Sequence, residues 1–141
     1  MVLNFEVNYI AVVVAAIASF VIGFLWYGPI FGKVWMKLNS MGKADVEKAK
    51  KKGMAFPMPL NLVGTLVTAF VVAVLILSLD FAGYVGGAVG LAFWVWLGFF
   101  ATTTLLGAVL WDNKPWGLFV LNGTYWLVTL EIISVILSLW S

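Results

Sequence analysis

The chain contains no cysteine and no histidine, and only 10% of its 141 residues are charged. Without cysteine there is no disulfide, no thiolate nucleophile and no thiolate metal site. Without histidine there is no imidazole base and no histidine ligand for haem or zinc. Most hydrolytic and redox enzymes depend on these residues, so we expect a protein that is not an enzyme and that holds no cofactor or metal.

The low charge also argues against a water-facing surface. A soluble domain carries roughly 25% charged residues, whereas this chain has a mean hydropathy of +1.09. Its formal net charge of +2 comes mainly from one lysine-rich loop, so it is no sign of nucleic-acid binding. The composition therefore indicates a membrane protein with lipid as its outer solvent.

Four long apolar runs dominate the sequence. Runs of about 20 apolar residues are long enough to cross a bilayer as helices, and these cover about residues 5–27, 59–79, 87–110 and 117–140. Glu6 and the absence of a basic residue before the first run favour an intact span over a cleaved signal peptide. We predict one domain over residues 1–141: an all-α, polytopic, four-helix transmembrane bundle.

The connection over residues 30–56 is the hydrophilic part of the chain and holds seven of the eight lysines. Gly28-Pro29 is expected to break the first span just before it. Apolar residues then recur at three- and four-residue spacing, which predicts a short amphipathic helix on the membrane surface. They are Phe31, Val34, Trp35 and Leu38. A second short helix is predicted over about residues 44–52.

The lysines also predict an orientation. The first loop has seven, the third has only Lys114, and the second has none. The positive-inside rule places the first and third loops in the cytoplasm and both termini outside, in a plasma (inner) membrane. One lysine cluster has two interpretations. In the first it only determines the topology, and in the second it also binds anionic lipid. It consists of Lys48, Lys50, Lys51 and Lys52.

Two ladders of small residues suggest close helix packing. The first run carries Ala11, Ala15, Ser19 and Gly23 at four-residue spacing. The third run opens with glycines that include the pair Gly86 and Gly90. Small residues at this spacing let helices approach closely, either inside one bundle or between copies of the chain.

Glu131 lies well inside the fourth apolar run. An intramembrane carboxylate is costly and is a functional-site hypothesis by default. A candidate polar site gathers around it from three runs, comprising Glu131, Thr124, Ser134, Asn61, Thr65 and Thr102. Three interpretations stay open: a hydrogen bond that joins helices, a proton or cation site, and a contact to a partner subunit or lipid. Asn122-Gly123-Thr124 matches a glycosylation sequon, which we interpret as coincidental because it lies near the predicted cytoplasmic face.

The most specific pattern is the run WYGPIFGKVWM, which begins at Trp26. With its first span, lysine-rich loop and three further spans, the chain resembles a family of small four-span prokaryotic membrane proteins catalogued only as a domain of unknown function. The resemblance implies the topology and one domain, and no activity. In physical terms, the motif is expected to end the helix sharply where it leaves the membrane and to anchor it through aromatic rings at headgroup depth. Its lysine is expected to reach lipid phosphates. Its residues are Trp26, Tyr27, Gly28, Pro29, Lys33 and Trp35.

Two functions fit these observations. The first is a non-enzymatic membrane protein that works by association, with copies of itself or with a larger membrane complex. The small-residue ladders and the missing catalytic residue types favour it. The alternative is a small proton- or cation-coupled transporter or channel that uses Glu131.

Overall fold

A computed structural model describes residues 2–39, 42–52 and 57–140 of the chain. Within these residues the fold is helical, without strands, which confirms the predicted class. The α-helices are α1 Tyr9–Leu25, α2 Gly32–Leu38, α3 Lys43–Lys52, α4 Pro57–Ser78, α5 Val85–Val95, α6 Leu106–Leu110 and α7 Trp116–Leu139. Two π-helical segments interrupt this series, Trp26–Ile30 after α1 and Trp96–Leu105 between α5 and α6.

Four helical stretches are long and apolar enough to cross a membrane, so the chain is a multi-pass membrane protein. Spans one to four are Tyr9–Ile30, Pro59–Ser78, Val85–Leu110 and Trp116–Leu139. Each overlaps one of the four predicted runs. The predicted short helices are present as α2 and α3, whereas residues 40–41 and 53–56 of the predicted loop lie outside the described residues.

The prediction that Gly28-Pro29 breaks the first span is wrong. The helix continues through Pro29 as a π turn, in which the Phe31 amide donates to the Trp26 carbonyl at 2.9 Å. Proline in an α-helix lacks a donor and clashes with the carbonyl four residues back. A π turn pairs residues five apart, which gives the ring room. Span one therefore runs to Ile30, and only Phe31 separates it from α2.

Spans one, two and four pack against one another and form the core. Their contact surfaces are built on small side chains: Ala11, Ala15 and Ala69 have no exposed surface, and Ser19 is 4% exposed. Larger side chains of span four, such as Leu130 and Ile133, fill the space between them. The small-residue ladder of span one thus lies inside this chain's own bundle.

Span three packs on one side of this core. Ala88 and Ala92 are buried and belong to the same hydrophobic cluster as the other three spans. Its main neighbour is span four, along both α5 and the π-helical segment that follows. Only 12% of the most apolar stretch of span three is buried, against 39% in span four.

Hydrogen bonds close the end of the bundle that holds Asn4, the loop 79–84 and Trp140, which we call the terminal end. Asn8 caps α1 through its Oδ1 and donates from Nδ2 to the Trp140 carbonyl at 3.1 Å. Ser138 Oγ donates to the Phe81 carbonyl at 2.8 Å, and the Gly83 amide donates to the Ser138 carbonyl at 2.7 Å. Gly83 has a φ of +74°, a conformation that favours glycine.

The alanine contacts predict a clear response to overpacking. Ala15→Leu inserts three heavy atoms where no surface is exposed, so we expect a loss of roughly 1–3 kcal/mol in unfolding free energy. Val13→Leu is the control, because Val13 is 46% exposed on the same helix. The measurement is unfolding in detergent micelles followed by circular dichroism. Equal stability of the two variants would contradict this packing.

Candidate functional site at the junction of spans one and four

The motif that begins at Trp26 folds against the start of α7. The π turn and α2 carry its aromatic residues, and α7 meets them with a polar and aromatic face. We call this cluster the aromatic junction. It comprises Trp26, Tyr27, Phe31, Trp35, Trp96, Phe100, Asn122, Tyr125 and Trp126.

One hydrogen bond between side chains joins the two spans. Tyr27 Oη donates to Asn122 Oδ1 at 2.6 Å, and the pair is partly buried. The Tyr27 ring also meets Tyr125 edge-on at 5.0 Å between centroids and Trp35 at 6.0 Å. Tyr27 therefore joins α2 and α7 to the end of span one.

Trp26 also belongs to the aromatic junction and contacts Phe31 and Tyr125. Its ring lies 4.7 Å from that of Phe31 and 6.1 Å from that of Tyr125. Trp26 Nε1 is enclosed by protein and has no hydrogen-bond partner among the described residues. Edge and tilted ring contacts of this kind contribute about 0.5–1.5 kcal/mol each beyond the area they bury.

Span three joins the same cluster. Trp96 Nε1 donates to the Gly123 carbonyl at 2.8 Å. Phe100 stacks on Trp126 at 5.1 Å, and Trp126 in turn meets Tyr125. The junction therefore fixes three of the four spans relative to one another at the end of the bundle that carries α2, which we call the lysine end.

Two glycines make the junction sterically possible. A Cβ on Gly32 would lie 2.7 Å from the Tyr27 carbonyl oxygen, a backbone atom that cannot turn away. A Cβ on Gly23 would lie 3.0 Å from Tyr125 Oη. Gly28, by contrast, has nothing within 4 Å of such an atom. Gly23 thus lets the Tyr125 side chain approach span one, and Gly32 lets the start of α2 approach the backbone of the π turn.

Asn122 and Tyr125 were not predicted as site residues. Asn122 appeared in the sequence only as part of a sequon, whereas the structure gives it the hydrogen bond to Tyr27. The sequence did contain a signal that could have identified this pair. Asn122 is an amide side chain inside an apolar run, three residues before Tyr125 and at the depth of the Trp26 motif. Lys33, the charged residue of the motif, is exposed and lies outside this cluster.

Three of the predicted intramembrane polar residues are hydrogen-bonded within their own helices. Thr65, Thr102 and Thr124 each donate to the carbonyl four residues back in their own helix, at 2.7–2.9 Å. Such local bonds compete with contacts between helices. Asn61 is exposed, and its carbonyl receives the Thr65 hydroxyl.

Glu131 and Ser134 remain the buried part of that set. Ser134 has no exposed surface, and its Oγ has no partner among the described residues. Glu131 is half-buried, and its Oε2 is enclosed without a hydrogen bond. Thr129, which was not predicted, is fully buried and likewise unpaired at Oγ1. The role of Glu131 stays a hypothesis.

Four helical stretches long enough to cross a membrane, joined by apolar contacts and by the aromatic junction, define a multi-pass membrane protein. Residues 10–138 match a family model described as a protein of unknown function, DUF1761, and the chain belongs to that family. This match bears out the resemblance noted in the sequence. Comparisons with curated proteins and with solved structures found no match.

The Tyr27–Asn122 bond predicts energetic coupling. Tyr27→Phe removes the donor and leaves Asn122 Oδ1 unpaired, so we expect a loss of roughly 1 kcal/mol, with similar coupling in a double-mutant cycle with Asn122→Ala. Tyr9→Phe is the control, because Tyr9 is 64% exposed. Unfolding in micelles gives the free energies. Additive single effects would argue against a stabilising bond.

Proposed function

We propose that this chain is a non-enzymatic membrane protein that works by association, with itself or with a larger membrane complex, through the outer face of span three. One observation carries the proposal: α5 uses one side to pack on the core and leaves a glycine pair on its other side. Gly86 is exposed, and a Cβ on Gly90 would meet nothing within 4 Å.

The two sides of α5 follow from helical geometry. Ala88 and Ala92 are buried, and Trp96 donates its hydrogen bond into span four. Gly86 and Gly90 each lie two residues from Ala88, which is about 200° around the helix axis. The glycine pair therefore faces away from span four. Gly90 is open on this side, whereas a Cβ on Gly86 would lie 3.3 Å from the ring of Tyr84, which is itself 60% exposed.

A lipid-facing glycine pair has no evident use in a single copy. Glycine in a helix interior is about 1 kcal/mol less favourable than alanine, and acyl chains gain nothing from it. Between two helices, the same pair lets backbones approach closely and gain van der Waals contact. The small buried share of span three agrees with a span that has a further partner.

The proposal includes an orientation. The lysine end carries α2, α3 and Lys114, while the terminal end holds no lysine. The positive-inside rule then places the lysine end in the cytoplasm and both termini outside a plasma (inner) membrane. With this orientation, Gly86 and Gly90 lie in the outer half of span three.

Gly90→Leu tests the interface. Leucine improves helix propensity and has open space here, so the single copy should stay folded while the association constant falls by roughly tenfold or more. Gly64→Leu is a matched control, because Gly64 lies in span two and is equally open. Association is measured by energy transfer between labelled copies in liposomes, and by native mass spectrometry of gently extracted membranes. Equal association of both variants with the wild type would exclude this face.

The environment of Glu131 favours a second candidate function, that of a small proton- or cation-coupled transporter or channel. The specific observation is its enclosed Oε2 without a hydrogen bond, which a merely structural carboxyl would be expected to have. Glu131 also lies near the middle of the bundle. It is eight residues after Gly123, which accepts a hydrogen bond from span three, and seven before Ser138, which accepts one from the loop that precedes span three.

The test of this candidate is ion flux in proteoliposomes. If Glu131 carries protons, wild-type protein should dissipate an imposed pH gradient faster than empty liposomes, and Glu131→Gln should remove the excess rate. Thr124→Val is the control, because Thr124 lies about two turns before Glu131 on the same helix but is exposed and bonded to its own helix. A wild-type rate equal to that of empty liposomes, or an unchanged rate in Glu131→Gln, would eliminate the proton-carrying form of this candidate.

A further inference from the structure

The short helix α2 has two different faces. Phe31, Trp35 and Leu38 are partly buried on the side that meets the bundle. The outward side carries Lys33 and Lys37, both exposed and one turn apart. Beside them lie Ile30, 57% exposed, and Val34, 47% exposed. Lysines next to exposed apolar side chains are typical of a helix at the boundary between headgroups and acyl chains.

Contacts with the bundle hold α2 in place. The Trp35 ring lies 6.0 Å from the Tyr27 ring. Leu38 covers Gly117 at the start of α7 so closely that a Cβ there would lie 2.9 Å from Leu38 Cδ2. The positions of the α2 lysines are therefore set by the aromatic junction and by α7.

A third lysine lies at the same end of the bundle, in the loop before α7. Lys114 is three residues before Gly117, which touches Leu38, and its amide donates to the Ala108 carbonyl at 3.2 Å. We call Lys33, Lys37 and Lys114 the basic rim. Asp112 is the one carboxylate in that loop, and no ion pair occupies these lysines among the described residues.

We propose that the basic rim binds the phosphate of an anionic phospholipid headgroup. Three exposed ammonium groups supply the charge, and Ile30 and Val34 lie where the acyl chains of the same lipid would begin. Lysines snorkel from such positions to phosphate oxygens. Because lipid carries both phosphate and acyl chains, it fits this edge better than free phosphate does.

The proposal distinguishes α2 from α3. Anionic-lipid binding is one of two sequence-based interpretations of the lysine cluster in α3, and the sequence also predicts that Lys33 reaches lipid phosphates. Lys43, Lys48 and Lys51 are exposed there, yet Asp45 and Glu47 lie among them and α3 has no aromatic residue. Charge near an anionic surface attracts both helices. The basic rim combines exposed lysines with the exposed apolar side chains of Ile30 and Val34 and with contacts from α2 to α7. This proposal is independent of the association proposed for span three.

The test compares two triple variants of the full chain with the same change in charge. One carries Lys33→Gln, Lys37→Gln and Lys114→Gln, and the other carries Lys43→Gln, Lys48→Gln and Lys51→Gln. Each purified protein is titrated in detergent with phosphatidylglycerol, phosphatidylcholine or inorganic phosphate. Bound lipid is counted by native mass spectrometry, and the thermal midpoint is recorded.

We expect the wild type and the α3 variant to retain phosphatidylglycerol in preference to phosphatidylcholine, and to gain thermal stability from it. The basic-rim variant should bind it more weakly, by about fivefold for each lysine removed. All six substituted lysines are exposed, so both variants should fold. Equal losses in the two variants, no preference between the lipids, or the same shift with inorganic phosphate alone would each overturn the proposal.

Discussion

The hydrocarbon core of a bilayer offers no hydrogen bonds to the peptide backbone, and this constraint shapes the rest of the structure. Each span must pair its own amides and carbonyls. Span one does so even through Pro29, where a π turn takes the place of the α pattern. Three threonine hydroxyls follow the same rule, because Thr65, Thr102 and Thr124 bond to carbonyls of their own helices. Few polar groups are then left to join one helix to another.

The polar contacts that do join helices lie toward the two ends of the bundle. At the terminal end, Asn8 and Ser138 bond to backbone carbonyls of other segments. At the lysine end, Tyr27 and Trp96 bond to Asn122 and Gly123 of span four. Between them the helices meet through alanines and aliphatic side chains, whose contacts are strong in sum but give little polar specificity. The ends therefore set the register, and the middle provides close packing.

The sequence predicted the fold class and the approximate spans, because the length of an apolar run is enough to predict whether a helix can cross a membrane. It also predicted α2 and α3, since apolar spacing and charge mark short surface helices. It could not predict the rotation of the spans, because a helix that is apolar all round gives no periodic signal. For this reason the Tyr27–Asn122 pair, 95 residues apart, was not predicted. The polar set around Glu131 included threonines that bond within their own helices.

The π-helical segment Trp96–Leu105 has a consequence for the direction in which α5 faces. Each π turn pairs residues five apart instead of four, so the segment sets the angular phase between the two halves of span three. Deleting one residue there would rotate Gly86 and Gly90 by about 100° relative to α6, with every other residue unchanged. The length of this segment therefore decides which side of α5 faces outward when α6 is held in place.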